Sequence, residues 1–152
     1  MNTQEILKSL ITKLYNESLR NGLHFRLNQY QNGGNNYLQA HDGKFLGYLS
    51  NKYDINSIFN PYGVYGSKYS ATSIFNAYGQ YGSKYSALSP FNKYTATAPI
   101  IYINGQVFGR LSANKYVPNA KQTDIFLFYV FNQMNLLEER LDDLIELISR
   151  ME

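Results

Sequence analysis

The chain contains neither cysteine nor tryptophan. Without cysteine there are no disulfides, no iron–sulfur clusters and no thiolate nucleophile, and structural zinc loses its main ligand. A loop-rich secreted domain more often carries disulfides, so the expected setting is the cytoplasm. Charge is scarce too: 16% of residues are charged against 44% hydrophobic, a balance that argues against disorder. No stretch approaches the roughly 20 apolar residues of a membrane span. The run Ile125–Phe131 has seven. The N-terminal MNTQEILKSLITKLYNESLR has no basic start, continuous apolar core or small-residue cleavage site, so it does not read as a signal peptide.

Catalytic signatures are missing as well. The two histidines, His24 and His41, and the scattered acids form no metal set, so no metal and no cofactor is expected. There is no G-x-S-x-G and no phosphate loop. Ser112–Lys115 spells S-x-x-K, but it falls at a strand end, whereas that chemistry needs the serine at a helix start. No residue receives a catalytic role, and the chain is expected not to be an enzyme.

Acids are unevenly missing. Residues 44–121 hold eight Lys or Arg and one acid, Asp54, whereas residues 135–152 hold six acids and two basic residues. A basic body with an acidic tail points to nucleic-acid contact or to complementary packing within the chain.

What the chain does have is a repeat. Residues 57–72, SIFNPYGVYGSKYSAT, and 73–88, SIFNAYGQYGSKYSAL, differ only at Pro61/Ala77, Val64/Gln80 and Thr72/Leu88. A third copy begins at Ser89-Pro90-Phe91-Asn92-Lys93-Tyr94 and breaks off. The unit has neither the alternation of a strand nor helical periodicity. Its glycines permit close backbone approach, and its Ser and Asn side chains can bond to nearby backbone. Phe59, Phe75 and Phe91 are the expected inward plugs.

Around the array the reading is conventional. Asn2-Thr3-Gln4-Glu5 has capping-box spacing, and a helix is predicted over 3–21, ended by Asn21-Gly22. Leu23, Phe25 and Leu27 alternate with polar residues and read as a strand. Asp42-Gly43 and Asn104-Gly105 each mark a hairpin. The two hairpins echo each other, GKFLGYLS-NKY at 43–53 and GQVFGRLSANKY at 105–116. A second helix is predicted over 123–151. Leu127, Val130, Met134, Leu137, Leu141, Leu144, Ile148 and Met151 form a heptad seam along it.

The block from Asp42-Gly43 through the tandem units to Ser112–Tyr116 resembles a recurrent bacterial module, with N-x-Y-G-x-Y-G-S-x-Y-S repeats between two short hairpins. The resemblance covers roughly residues 38–120 and leaves out both terminal helices. It implies no activity, cofactor or partner.

The expected fold is a single α+β domain: a β-rich repeat body over 23–120 flanked by an N-terminal helix and a long C-terminal heptad helix. The expected function is a non-enzymatic scaffold that self-associates as a homo-oligomer through Leu137, Leu141, Leu144, Ile148 and Met151. The alternative is a nucleic-acid-binding module using Lys68, Lys84 and Lys93 with Tyr62, Tyr65, Tyr78 and Tyr81. The GxxG spacing of Gly63–Gly66 and Gly79–Gly82 matches an RNA backbone clamp but lacks its helical context. A hydrolase is a distant third.

Overall fold

The computed structural model describes residues 2–31 and 33–151. Its elements are helix α1 (Thr3–Arg20), strands β1 (Tyr37–Gln39), β2 (Phe45–Tyr48), β3 (Ile100–Ile103), β4 (Gln106–Ser112) and β5 (Ala120–Gln122), then helices α2 (Thr123–Gln133) and α3 (Leu141–Ser149). The α+β expectation is met. The sheet order is β2-β1-β3-β4-β5, with β4 and β5 parallel and the other pairs antiparallel.

Both hairpins form where the turn dipeptides place them. At Asn104-Gly105 both residues have positive φ (54° and 77°), which an Asn-Gly pair adopts readily and which suits the twist of the flanking strands. The hairpins lie side by side through β1 and β3, with Tyr37 facing Tyr102 and their rings stacked at 4.6 Å. Residues 49–99 are thus one long insertion between the two hairpins.

That insertion is neither strand nor helix. From Asn51 the chain makes one tight turn after another, each starting on the residue that closed the last. The closing N–H groups belong to Asp54, Ser57, Asn60, Gly63, Ser67, Ser70, Ser73, Asn76, Gly79, Ser83, Ser86, Ser89, Asn92 and Thr95, and bond lengths run from 2.9 to 3.5 Å. Each step is three residues long, except Gly63→Ser67 and Gly79→Ser83, which take four. Four short steps and one long one make the sixteen-residue period.

The first residue of a step must be small and polar for a local reason. Its side-chain oxygen accepts the N–H two residues on, as Asn60 does from Tyr62 at 2.9 Å and Ser73 from Phe75 at 3.0 Å. Backbone groups with no ladder partner are satisfied locally, so the segment can be buried on one side. The long step opens on glycine and has glycine again as its fourth residue, where the backbone approaches itself most closely. A Cβ on Gly66 would lie 1.9 Å from the Asn60 carbonyl oxygen, and one on Gly82 2.1 Å from that of Asn76.

The staircase turns Ile58, Phe59, Ile74, Phe75 and Phe91 inward, as the plug reading requires. Phe59 and Phe75 both meet Phe131 of α2 edge-on, at 5.3 and 6.3 Å. Most of α2 is buried, Ile125–Phe128, Val130 and Phe131 included, in keeping with a sequence that is apolar nearly all round. α1 packs on α2, capped by the Asn2 side chain on the Glu5 N–H at 2.9 Å.

Two expectations are corrected. Residues 23–27 form no strand, although Leu23 and Leu27 are buried and the alternation is real. The partners of this segment are side chains of α2: the Tyr129 hydroxyl and Gln133 amide both donate to the Phe25 carbonyl at 2.6 Å, and Gln133 Oε1 accepts from Leu27 N–H.

The long heptad helix over 123–151 is two helices. Asn135 adopts positive φ (58°), and the Leu136 N–H closes back on the Phe131 carbonyl at 2.9 Å, a capped helix end with asparagine in the usual glycine place. The chain then reverses and α3 returns along the staircase. The seam therefore serves this chain's own core. Leu137 and Leu144 are buried, and Leu141, Ile148 and Met151 are half-buried against the same cluster. Leu136 and Leu147, off the seam, are buried as well.

Candidate functional site

The acidic tail and the basic body meet at the α3–staircase contact. Lys52 of the first turn pairs with Glu139 at 3.2 Å, while Arg140 and Arg150 pair within the tail, with Asp143 (3.2 Å) and Glu146 (2.8 Å). Part of the charge asymmetry is thus complementary packing. It leaves the outer side of the staircase with lysines and no acid after Asp54.

Inward-facing Phe and outward-facing Tyr are both third residues of their steps, and which step of the period each occupies goes with the side it faces. Two rows result, each in sixteen-residue phase: Tyr53, Tyr69 and Tyr85, and Tyr62, Tyr78 and Tyr94. Tyr62 and Tyr78 are 95% and 98% exposed, and Tyr69 and Tyr85 are each 83% exposed. Large aromatic side chains this free of packing contribute nothing to the core.

Each tyrosine of the first row follows a lysine that lies over its ring. Lys68 Nζ is 5.6 Å from the Tyr69 centroid and Lys84 Nζ is 5.4 Å from that of Tyr85, within cation–π range. Lys52-Tyr53, Lys93-Tyr94 and Lys115-Tyr116 repeat the arrangement. The last belongs to the second hairpin, whose Asn114 makes the same turn as Asn51: each side chain accepts the tyrosine N–H, at 3.1 and 2.8 Å.

The sequence-derived residues divide. Lys68, Lys84, Lys93, Tyr62 and Tyr78 lie on this exposed face. Tyr65 and Tyr81 do not, because they occupy the four-residue step and point back to the first hairpin. Tyr65 packs edge-on against Phe45 at 4.9 Å and over Gly47, where a Cβ would sit 2.7 Å from its own. Tyr81 is buried and donates its hydroxyl to Asp42 at 2.8 Å. Burial and that carboxylate hold the Tyr81 hydroxyl above its ordinary pKa, while the Lys44 N–H and the Tyr81 hydroxyl hold Asp42 below its own. Sequence reasoning missed Tyr53, Tyr69, Tyr85, Tyr94 and Tyr116, although the recurring Lys-Tyr dipeptide was their signal.

Two open grooves run between this face and α3. One, about 430 Å³, lies between Tyr62, Lys68, Tyr69 and the charged residues Arg140, Asp143 and Glu146. The other, about 330 Å³, lies between the Lys84-Tyr85 and Lys93-Tyr94 turns and Arg150. His24 and His41 are far apart in role: His41 Nδ1 lies 3.3 Å from Arg110, and His24 sits on the extended segment beside α2. Ser112 is buried at the end of β4 and accepts from the Asn114 N–H, so the S-x-x-K match serves a turn. Among the described residues no cluster of His, Asp and Glu is arranged to hold a metal, and no helix is long and apolar enough to cross a membrane. No protein-family model, curated protein or solved structure matches the chain.

Proposed function

We propose that the protein is a non-enzymatic binding module whose staircase presents its tyrosine rows and lysines to a single-stranded nucleic acid. The carrying observation is the pair of outward tyrosine rows in repeat phase, with a lysine against each ring of the first row. Exposed rings offer sequence-tolerant stacking for bases, and neighbouring cations track the phosphates; together they make the usual single-strand platform. Beyond Asp54 the staircase carries lysines and no acid of its own, which favours a polyanion over a neutral polymer.

The packing of the seam favours this reading over self-association through Leu137–Met151: Leu137 and Leu144 are buried in the chain's own core, and Leu141, Ile148 and Met151 are half-buried against it. The binding face needs no second copy.

The test is retention of a labelled single-stranded oligonucleotide at increasing salt. Affinity should fall linearly on a log–log plot, with a slope near −0.7 for each phosphate neutralised. Substituting Lys68 and Lys84 together should reduce that slope. Salt-independent binding, or equal binding of a neutral glycan, would overturn the reading.

A further inference from the structure

The two grooves beside α3 share three parts one period apart, Lys68, Tyr69 and Phe75 in the first and Lys84, Tyr85 and Phe91 in the second, yet their charge differs. In the first, Asp143 and Glu146 oppose Lys68, Arg140 and Arg150. The second is lined by Lys84, Tyr85, Phe91, Lys93, Tyr94 and Arg150 among others, and among the described residues by no acid. Position 93 makes part of the difference, since Lys93 stands where the earlier copies have Pro61 and Ala77. The absence of Asp143 and Glu146 from the second lining makes the rest, while Arg150 borders both grooves. Its Nε and Nη2 are held by Glu146 at 2.8 Å each, and Nη2 also donates to the Phe75 carbonyl at 3.1 Å. Its Nη1 is the one buried polar side-chain atom among the described residues with no hydrogen-bond partner. With Nη1 closed off and Nε and Nη2 held by Glu146, Arg150 forms a fixed wall of the groove and leaves Lys84 and Lys93 as its free cations among the described residues.

We infer that the groove between the Lys84-Tyr85 and Lys93-Tyr94 turns and Arg150 seats a phosphate monoester carried on a nucleoside. That is the chemistry of a phosphorylated strand end or of a free mononucleotide. Lys84 and Lys93 meet the dianionic phosphate, Arg150 walls the groove, and the Tyr85 and Tyr94 rings flank the base. The groove volume of about 330 Å³ lies within the range of small-ligand sites. The strand-end form rests on the single-strand reading above; the mononucleotide form does not.

The experiment titrates the full chain with AMP, adenosine and inorganic phosphate, followed by amide NMR shifts at residues 84–94 and 150. A second series compares twelve-nucleotide strands bearing a 5′-phosphate, a 3′-phosphate or neither. The expected result is saturable AMP shifts confined to this groove, absent with adenosine, and roughly tenfold tighter binding of one phosphorylated strand. Lys93→Ala, which restores the residue of the preceding copy and so should fold normally, should erase both effects. If AMP shifts the groove but no strand binds, the site stands and the single-strand reading falls. If strands bind without regard to their ends and AMP causes no shift, the site is overturned and the single-strand reading stands. Equal response to inorganic phosphate and AMP would also overturn it, as an anion contact without base recognition.

Discussion

Arg140 and Arg150 make the same contact one repeat apart. Arg140 Nη1 donates to the Phe59 carbonyl at 3.4 Å while its guanidinium covers the Phe75 ring at 5.7 Å. Arg150 Nη2 donates to the Phe75 carbonyl at 3.1 Å and covers the Phe91 ring at 5.6 Å. Ten helical positions correspond to about 15 Å, so α3 acts as a ruler that fixes the spacing of successive repeats. Both side chains are nearly buried, 10% and 12% exposed. Arg140→Met and Arg150→Met should each lower unfolding free energy by about 1.5–3 kcal/mol, the range for hydrogen bonds to charged groups. Lysine should not restore it, being a point charge without the planar fork. Urea unfolding with an unchanged m-value checks this.

The staircase makes its own stability prediction. Ser73→Ala removes the acceptor for the Phe75 N–H inside the core and should cost about 1–3 kcal/mol. Gly82→Ala should be worse than an ordinary overpacking change of about 1–3 kcal/mol, because the new methyl meets backbone that other turns hold in place. Thermal melts of the two variants should rank in that order.

Two aspartates should pull stability in opposite directions with pH. Burial raises Asp54, but N–H groups of Asn56 and Gly33 and the Ser50 hydroxyl outweigh it, leaving its pKa below 3.8. Its contribution is present above the ordinary carboxylate range and is lost as pH falls through the lowered value. Asp124 is raised, chiefly by burial. Its contribution is present below 3.8 and is lost as pH rises through the raised value. Asp54→Asn should therefore flatten the acid limb of a Tm–pH curve. Asp124→Asn should raise Tm at neutral pH and leave it unchanged in acid.

The ruler also sets a footprint. From Tyr53 to Tyr85 is two repeats, about 30 Å on this spacing, and a stacked strand advances about 3.4 Å per nucleotide. The occluded site should be about nine nucleotides. Stoichiometry on homopolymers of increasing length checks it, with a second protein fitting only beyond twice that length.

Much of the fold could be read from sequence where the local rule is strong. Asn104-Gly105 fixed its hairpin because positive φ at two adjacent positions is a backbone demand. Phe59, Phe75 and Phe91 were legible as plugs because they recur in one phase. The helix break at Asn135 was not, since seven-residue spacing continues through it and asparagine only sometimes ends a helix. The step of three was hidden inside the period of sixteen, because the four-residue step at Gly63–Gly66 resets the count. Once that step is seen, it separates Tyr62 from Tyr65 and Tyr78 from Tyr81, which composition treats alike.

The most direct measurement concerns the exposed rings with every lysine kept. A variant with Tyr62, Tyr69, Tyr78 and Tyr85 changed to Ser should keep its unfolding free energy within about 0.5 kcal/mol per site, as befits exposed positions. Anisotropy titration with a labelled single-stranded oligonucleotide should show its affinity falling by at least about a hundredfold, given about 1–3 kcal/mol for each stacked base. Undiminished affinity in a folded variant would contradict the claim that the tyrosine rows are the binding face.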